Sequence, residues 1–239
     1  MAHGDSVILH TPRLVLRPLI PADLDDVHSW AGNPSNTRYM SWGPNTFEET
    51  RAFLSSARVG FDFAVLLRGE DRVIGSCGIY PDKENDTGEL GWILHMDHWQ
   101  LGYGTELCGE LIRYGFVDLK LRRICAPCAA DNYGSYRVME RNGMRREALR
   151  VKAFWARVDM EWIDELEYAI LAEEFFSEAV SVAGAGVGAL DAEEEAPADT
   201  AVPPGLYQNN KVNQYEVLGF AKHSKSLEDV GVYKPLRSL

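Results

Sequence analysis

Trp99-Gln-Leu-Gly-Tyr-Gly-Thr-Glu106 joins two runs of different periodicity in this 239-residue chain. The run before it, Glu89 to Met96, alternates as a β-strand does, and the run after it, Thr105 to Asp118, has the periodicity of an amphipathic helix. Two glycines between a strand and a helix predict a tight turn whose backbone N–H groups point the same way. Because that turn lies at the positive end of the helix, we expect it to bind an anion such as phosphate.

The usual nucleotide-binding patterns do not match this turn. A dinucleotide fingerprint would place a third glycine where Leu107 stands, and a P-loop would continue into Gly-Lys-Ser/Thr, which is missing here. A tight turn without any ligand also satisfies the local pattern. The glycines alone therefore predict an anion site and leave its ligand open.

The remaining periodicities predict an α/β domain over residues 1–176. Thr46 and Glu49 form a candidate capping box at the start of the second helix, and Gly143 is expected to end the last one. The predicted strands are Arg13–Arg17, 61–67, 73–80, 89–96, 123–128, 144–150 and 160–172. The order β-αα-βββ-α-β-α-ββ predicts a mixed sheet of about seven strands, partly antiparallel, flanked by helices.

The net charge of −12 belongs to one part of the chain. No Lys or Arg lies between Arg157 and Lys211, and the 13 acidic residues of that window account for the excess. Without a broad basic surface, we expect no nucleic-acid partner. Residues 177–205, rich in Gly, Ala, Glu and Pro, predict a low-complexity linker, and 206–239 a tail that is disordered or docks.

Neither a membrane span nor a secretory signal is predicted, so we expect a cytoplasmic protein without a membrane partner. Cys125 and Cys128 have C-x-x-C spacing, but a zinc site needs four ligands and no second pair is present. His95 and His98 lack an acidic partner at ligand spacing. We therefore expect ordinary thiols and no metal.

Four segments, in this order and spacing, resemble the GNAT superfamily of acetyl-CoA-dependent N-acetyltransferases over about residues 11–176. The resemblance is to the branch of the ribosomal-protein alanine N-acetyltransferases. The segments are Thr11-Pro-Arg-Leu-Val-Leu-Arg-Pro; Gly88-Glu-Leu-Gly-Trp-Ile-Leu with the glycine turn; Asn132-Tyr-Gly-Ser-Tyr-Arg-Val-Met-Glu-Arg-Asn-Gly-Met; and Trp162-Ile-Asp-Glu-Leu-Glu-Tyr-Ala-Ile-Leu. The resemblance implies that the sheet is splayed.

The resemblance also implies a donor site for acetyl-CoA, used as a co-substrate. Backbone amides of the turn would hold the pyrophosphate, Ile93 and Leu94 would pair with the pantetheine arm, and Asn132 would hydrogen-bond that arm. The turn residues concerned are Gln100, Leu101, Gly102, Tyr103, Gly104 and Thr105. The chain departs from the family pattern at Trp99, where Gln or Arg is usual.

For catalysis, the resemblance implies Glu89 as general base toward the acceptor amine and Ser135 as general acid toward the leaving thiolate. The Tyr that many members use as the acid is replaced by Met139. The acceptor would be a protein N-terminal α-amine or a small-molecule amine, and a homodimer stays open. The alternative is a non-catalytic acyl-CoA-binding module that acts through its tail.

Overall fold

The computed structural model describes residues 7–177 and, farther along the chain, the backbone of three strands at 205–208, 213–222 and 229–238. The chain divides into two compact units, Met1–Ala172 and Glu173–Leu239. The predicted linker falls almost entirely on residues 178–204, which lie outside the described residues.

The first unit contains an eight-stranded sheet with the order β1-β2-β3-β4-β5-β6-β8-β7. Only β5 and β6 are parallel; every other neighbouring pair in this sheet is antiparallel. Its elements are β1 (Leu9–His10), β2 (Leu14–Pro18), α1 (Leu24–Ala31), α2 (Pro34–Thr37), α3 (Phe47–Ser56), β3 (Asp62–Leu67), β4 (Val73–Asp82), β5 (Thr87–Leu94), α4 (Tyr103–Arg113), β6 (Arg123–Ala129), α5 (Tyr133–Arg141), β7 (Arg145–Ala156) and β8 (Glu161–Leu171).

The predicted mixed α/β sheet flanked by helices is confirmed. The strand beyond the seven expected is β1, which has two residues and is too short to show alternation. Strand β5 ends at Leu94 rather than Met96 because Met96–His98 forms a 3-10 turn, and α4 ends at Arg113 because Tyr114–Asp118 continues as a π-helix. The capping box is confirmed: Thr46 N–H donates to Glu49 Oε2 at 2.7 Å, and Glu49 N–H donates to Thr46 Oγ1 at 3.2 Å.

Helices cover both faces of the sheet. On one face, Val27 and Trp30 of α1 and Leu54 of α3 pack against a cluster that includes Ile93 of β5. Ile79 of β4 points to the opposite face, since it lies three residues beyond Ser76, the cross-strand partner of Ile93. A Cβ built on Gly115, just beyond α4, would lie 2.7 Å from Ile79. Helix α4 therefore lies on the face opposite α1 and α3.

The parallel pair β5–β6 diverges at a proline. The two strands pair only from Thr87–Arg123 to Glu89–Cys125. The N–H of Ala130 donates to the C=O of Asp164 at 2.8 Å, so even-numbered residues of β6 direct their backbone groups to β8 and odd-numbered ones to β5. Pro127 is the next odd-numbered residue and has no N–H to donate. The ladder stops there, which leaves the edge of β5 beyond Glu89 open.

The second unit contains an antiparallel sheet of β9 (Gly205–Gln208), β10 (Asn213–Lys222) and β11 (Asp229–Ser238), with β10 in the middle. The sequence predicted either disorder or docking for residues 206–239. Within this segment, the described backbone forms strands that pair with one another. Within the described residues, none of the helices is both long and apolar enough to span a membrane.

Candidate active site

The glycine turn presents a helix N-terminus without side-chain caps. Gln100 and Gly102 have positive φ angles of 60° and 83°, and Gly102 is the N-cap of α4. Its C=O accepts the N–H of Glu106 at 3.1 Å. The N–H groups of Tyr103, Gly104 and Thr105 come before the first intrahelical bond, and no side chain caps this end. The turn therefore offers several backbone donors at the positive end of α4, as expected for a pyrophosphate site.

Glu106 holds this turn against the start of β2. One carboxylate oxygen accepts the Thr11 hydroxyl at 2.5 Å and the Arg13 N–H at 2.7 Å, and the other accepts Arg13 Nε at 2.7 Å. Arg13 also donates Nη1 to the C=O of Leu101 at 2.9 Å and stacks 4.5 Å from the ring centroid of Tyr103. Sequence reasoning missed this Thr11–Arg13–Glu106 clasp; an acid in the first turn of a helix was the available signal.

Both glycines also sit at close approaches. A Cβ on Gly102 would lie 3.2 Å from Arg13 Nη2, and one on Gly104 would lie 3.1 Å from a methyl group of Val138 on α5. Asn142, at the end of α5, donates Nδ2 to the C=O of Thr105 at 3.1 Å. The turn is thus enclosed by β2 on one side and α5 on the other.

At the open edge of β5, only alternate residues direct their backbone N–H and C=O groups toward the opening. His95 N–H donates to the C=O of Ile74 on β4 at 2.8 Å, so odd-numbered residues such as Ile93 direct their backbone groups to β4. Leu90, Trp92 and Leu94 direct theirs to the opening. The two residues expected to meet the pantetheine arm both have buried side chains; Leu94 directs its backbone groups to the opening, whereas Ile93 directs its own to β4. Sequence reasoning missed Trp92 because the phase of the alternation depends on the register with β4.

A cavity of about 180 Å³ lies where β5 and β6 diverge. It brings Glu89 and Ser135, the predicted base and acid, together with Asn132. Its lining residues are Tyr39, Met40, Ser41, Glu89, Leu90, Gly91, Trp92, Pro127, Cys128, Asn132, Ser135, Phe154 and Glu165. Tyr39, Ser41, Phe154 and Glu165 belong to segments distant in sequence from Glu89, and only the fold brings them to the cavity.

Glu89 is suited to take up a proton. Its side chain is exposed to solvent and makes no hydrogen bond with any part of residues 7–177. Partial burial and, second, the negative charges of Glu165 and Glu167 raise its pKa above that of an ordinary Glu. A raised pKa makes the carboxylate a stronger base than an ordinary Glu.

The neighbouring acids are paired with arginines. Arg150 Nη1 donates to Glu165 Oε2 at 3.0 Å, and Arg150 Nη2 donates to Glu167. Arg123 Nη2 lies 3.8 Å from Glu167 Oε1. Because these carboxylates already accept strong hydrogen bonds, Glu89 is the lining carboxylate left to receive a proton among the described residues.

Asn132 and Ser135 begin α5. Asn132 is its N-cap, and its Oδ1 accepts the N–H of Ser135 at 3.2 Å. The Ser135 hydroxyl makes no hydrogen bond within the described part of the chain, so it does not bond back to a helix carbonyl, as serines in helices often do. Met139, at the position of the family tyrosine, is fully buried. Ser135 is thus the α5 hydroxyl that lines the cavity.

The cysteines near the cavity are free thiols. Burial raises the pKa of Cys128 to about 12, and burial, together with the charge of Glu89, raises the pKa of Cys125. Neither is a thiolate at neutral pH, so neither is an activated nucleophile. Within the described residues, no group of three or more His, Cys, Asp or Glu side chains is placed to hold a metal ion.

Comparisons with known proteins agree with this geometry. A family model for the acetyltransferase (GNAT) domain matches residues 13–145, more than half of the chain. The uncharacterised N-acetyltransferase YnaD of Bacillus subtilis is 35% identical over 167 residues, which cover 69% of this chain and 97% of YnaD. A GNAT-family acetyltransferase from Bacillus anthracis superposes with a TM-score of 0.65 at 35% identity, covering 70% of this chain and all of that one.

Another solved structure shows the same fold with ligands bound. It is the spermidine N-acetyltransferase of Vibrio cholerae in complex with CoA and spermine, which has a TM-score of 0.60, 21% identity and coverage of 68% of this chain and 97% of its own. The family match and the 35% identity to YnaD together establish the relationship. The chain therefore belongs to the GNAT family and is an acetyl-CoA-dependent acetyltransferase that transfers an acetyl group to an amine.

Proposed function

We propose that the enzyme acetylates a primary amine by direct attack on acetyl-CoA, with Glu89 as general base and Ser135 as general acid. The acceptor is a protein N-terminal α-amine or a small-molecule amine. The observation that carries this proposal is the meeting of a Glu89 carboxylate and a Ser135 hydroxyl, neither of them hydrogen-bonded within the described residues, in one cavity at the open edge of β5.

The donor half fits coenzyme A. The backbone donors from Gln100 to Thr105 would hold the pyrophosphate. The open edge of β5 would pair with the amides of the pantetheine arm, and the phase of the strand gives Trp92 the part expected of Ile93. Asn132 uses Oδ1 for capping, which leaves its Nδ2 to donate to the arm.

Each proton in the reaction has a place to go. Glu89, directly or through a water molecule, accepts a proton from the amine as its nitrogen forms a bond to the thioester carbon. When the C–S bond breaks, Ser135 donates its hydroxyl proton to the departing sulfur and regains one from solvent. The products are an amide and the free thiol of CoA. The high pKa of Cys128 and Cys125 argues against an acetyl-cysteine intermediate.

The first experiment measures CoA release from acetyl-CoA with a panel of N-terminal peptides, amino acids and polyamines, spermine included. Turnover with at least one amine is expected. Glu89→Gln and Ser135→Ala should each lower turnover while the dissociation constant of CoA, measured by calorimetry, stays unchanged.

Two results would contradict the proposal. Tight CoA binding without turnover on any amine would identify the chain as a non-catalytic acyl-CoA-binding module. Full activity of Glu89→Gln and Ser135→Ala would remove the proposed acid–base pair but leave the acetyl transfer itself in place.

A further inference from the structure

The carbonyl of Leu94, at the end of β5, accepts two side-chain donors. Asn36 Nδ2 donates to it at 2.7 Å and the indole Nε1 of Trp99 at 2.8 Å. A carbonyl oxygen has two lone pairs, and both are engaged here. Although this carbonyl faces the opening between β5 and β6, it has no capacity left for a ligand.

Asn36 connects this carbonyl to the acceptor side. It lies in α2, is 4% exposed, and its Oδ1 accepts the N–H of Met96 at 3.4 Å. The chain that leaves α2 continues directly into Tyr39, Met40 and Ser41. These three residues line the cavity that contains Glu89 and Ser135, which is called the acceptor cavity below. The buried side-chain amide of Asn36 bonds both Leu94 and Met96, and it therefore fixes the position of the 39–41 segment of the cavity relative to β5.

Trp99 connects the same carbonyl to the donor side. Trp99 is 44% exposed, yet its indole N–H points inward to the Leu94 carbonyl. Its backbone N–H donates to the C=O of Met96 at 3.1 Å. Only Gln100 and Leu101 separate Trp99 from Gly102. Holding Trp99 in place therefore fixes the entry to the turn that carries the positive φ angles.

We propose that Asn36 and Trp99 are positioning residues that join the acceptor wall, the end of β5 and the pyrophosphate turn at the Leu94 carbonyl. This gives a function to Trp99, which stands where the family usually has Gln or Arg. Its side chain holds the entry of the turn by its hydrogen bond to Leu94, whereas the pyrophosphate would be bound by backbone groups of the turn. The two hydrogen bonds to the Leu94 carbonyl also set the register of the pantetheine arm. Because that carbonyl is occupied, the arm must pair with the backbone groups of Trp92 and with the N–H of Leu94. The inference rests on the proposed function, because it assumes that acetyl-CoA lies along β5.

The test uses Trp99→Phe and Asn36→Ala in the full chain. Trp99→Phe removes the N–H donor and the pyrrole part of the indole but keeps an aromatic side chain at a partly exposed position, so we expect folding to be preserved. Trp162→Phe, an exposed tryptophan on β8 (54%), and Ser35→Ala, exposed on α2, are the matched controls. The measurements are the CoA dissociation constant, and kcat and KM for the best acceptor at saturating acetyl-CoA.

The loss of one hydrogen bond should weaken CoA binding by about 2- to 10-fold in Trp99→Phe. The same variant should also raise the acceptor KM, although Trp99 does not line the acceptor cavity, and kcat should change less than either constant. Because both donors share one acceptor atom, the effects of Trp99→Phe and Asn36→Ala on CoA binding should not add in the double variant. The two controls should match the wild type.

If the wild type binds CoA and Trp99→Phe retains the wild-type CoA affinity and acceptor KM, the inference is wrong while the proposed function stands. Additive effects of the two substitutions on CoA binding in the double variant would likewise contradict the inference that Asn36 and Trp99 act through the same carbonyl. A wild-type protein that does not bind CoA would overturn the proposed function and this inference with it.

Discussion

The proposed donor half of the site is made of backbone groups, whereas the proposed acceptor half is made of side chains. The turn from Gln100 to Thr105 and the open edge of β5 offer N–H and C=O groups, whose positions depend on φ angles and register. The acceptor cavity depends on Glu89, Ser135 and residues contributed by several segments. The difference implies that donor-side changes should alter CoA affinity and acceptor-side changes should alter turnover.

Glu89→Gln should give the largest effect and the clearest separation. Loss of the general base should lower kcat by about 10²- to 10⁴-fold, whereas the CoA dissociation constant should stay within twofold. Steady-state kinetics and calorimetry measure the two quantities. Glu84→Gln, the same substitution at an exposed position in the β4–β5 loop, is the control. A parallel loss of CoA affinity in Glu89→Gln would break the distinction between the halves.

Gly102→Ala should have the opposite effect, weakening CoA binding rather than lowering kcat. Residue 102 has φ 83°, and a Cβ in the left-handed region costs about 1–2 kcal/mol. If the free turn relaxes, CoA binding must restore the strained form, so the dissociation constant should rise by about 5- to 30-fold. Gly69→Ala is the control, since Gly69 also has φ 83° and a Cβ added there would have no neighbour within 4 Å. It should lose stability but not CoA affinity.

Glu106→Gln tests whether the Thr11–Arg13–Glu106 clasp belongs to the donor half. A charged hydrogen-bond acceptor would be lost, and we expect the free energy of unfolding to fall by about 1–3 kcal/mol and CoA affinity to fall several-fold, with kcat at saturation retained. Urea unfolding and calorimetry measure both changes. Glu110→Gln, one turn farther along α4, removes an ion pair with Arg113 and should leave CoA affinity unchanged.

The smallest expected effect is a shift in the pH profile. Glu89 acts when deprotonated, so kcat/KM should rise with pH through its raised pKa, above the range of an ordinary Glu. Glu165→Gln removes a negative charge that favours protonation of Glu89 and leaves Arg150 with Glu167 as its charged partner, so the rise should move to lower pH by less than about one unit. Glu161→Gln, exposed at the start of β8, should not move it. A rise that moves to higher pH would contradict Glu89 as the base.

Much of the first unit could be predicted because its signals are local. Thr46 and Glu49 form the predicted capping box, and Gly143 ends α5 with φ 77°. Lengths were harder to predict: β7 runs to Ala156 rather than Arg150, since its residues are mostly exposed and their pattern is set by pairing with β8.

The candidate site shows the same limit. Glu89, Asn132 and Ser135 were predicted from motifs and do line one cavity. Which of Ile93 and Trp92 directs its backbone groups to the open edge could not be predicted, because a shift of one residue along a strand reverses the direction of those groups. Glu165 and Phe154 carry no local signal, since only the bulged pairing of β7 with β8 directs them to the cavity.

The sequence by itself determined most of the strands and longer helices, the capping box at Thr46, the end of α5 at Gly143 and the glycine turn, since caps and φ preferences act over a few residues. Tertiary structure alone decided three features: the clasp between Arg13 and Glu106, 93 residues apart; the two donors on the Leu94 carbonyl; and the acceptor cavity. Each depends on side chains that meet only after strand register and helix packing are fixed. The donor could thus be predicted from four short segments taken together, whereas the walls of the cavity are set by the assembled fold.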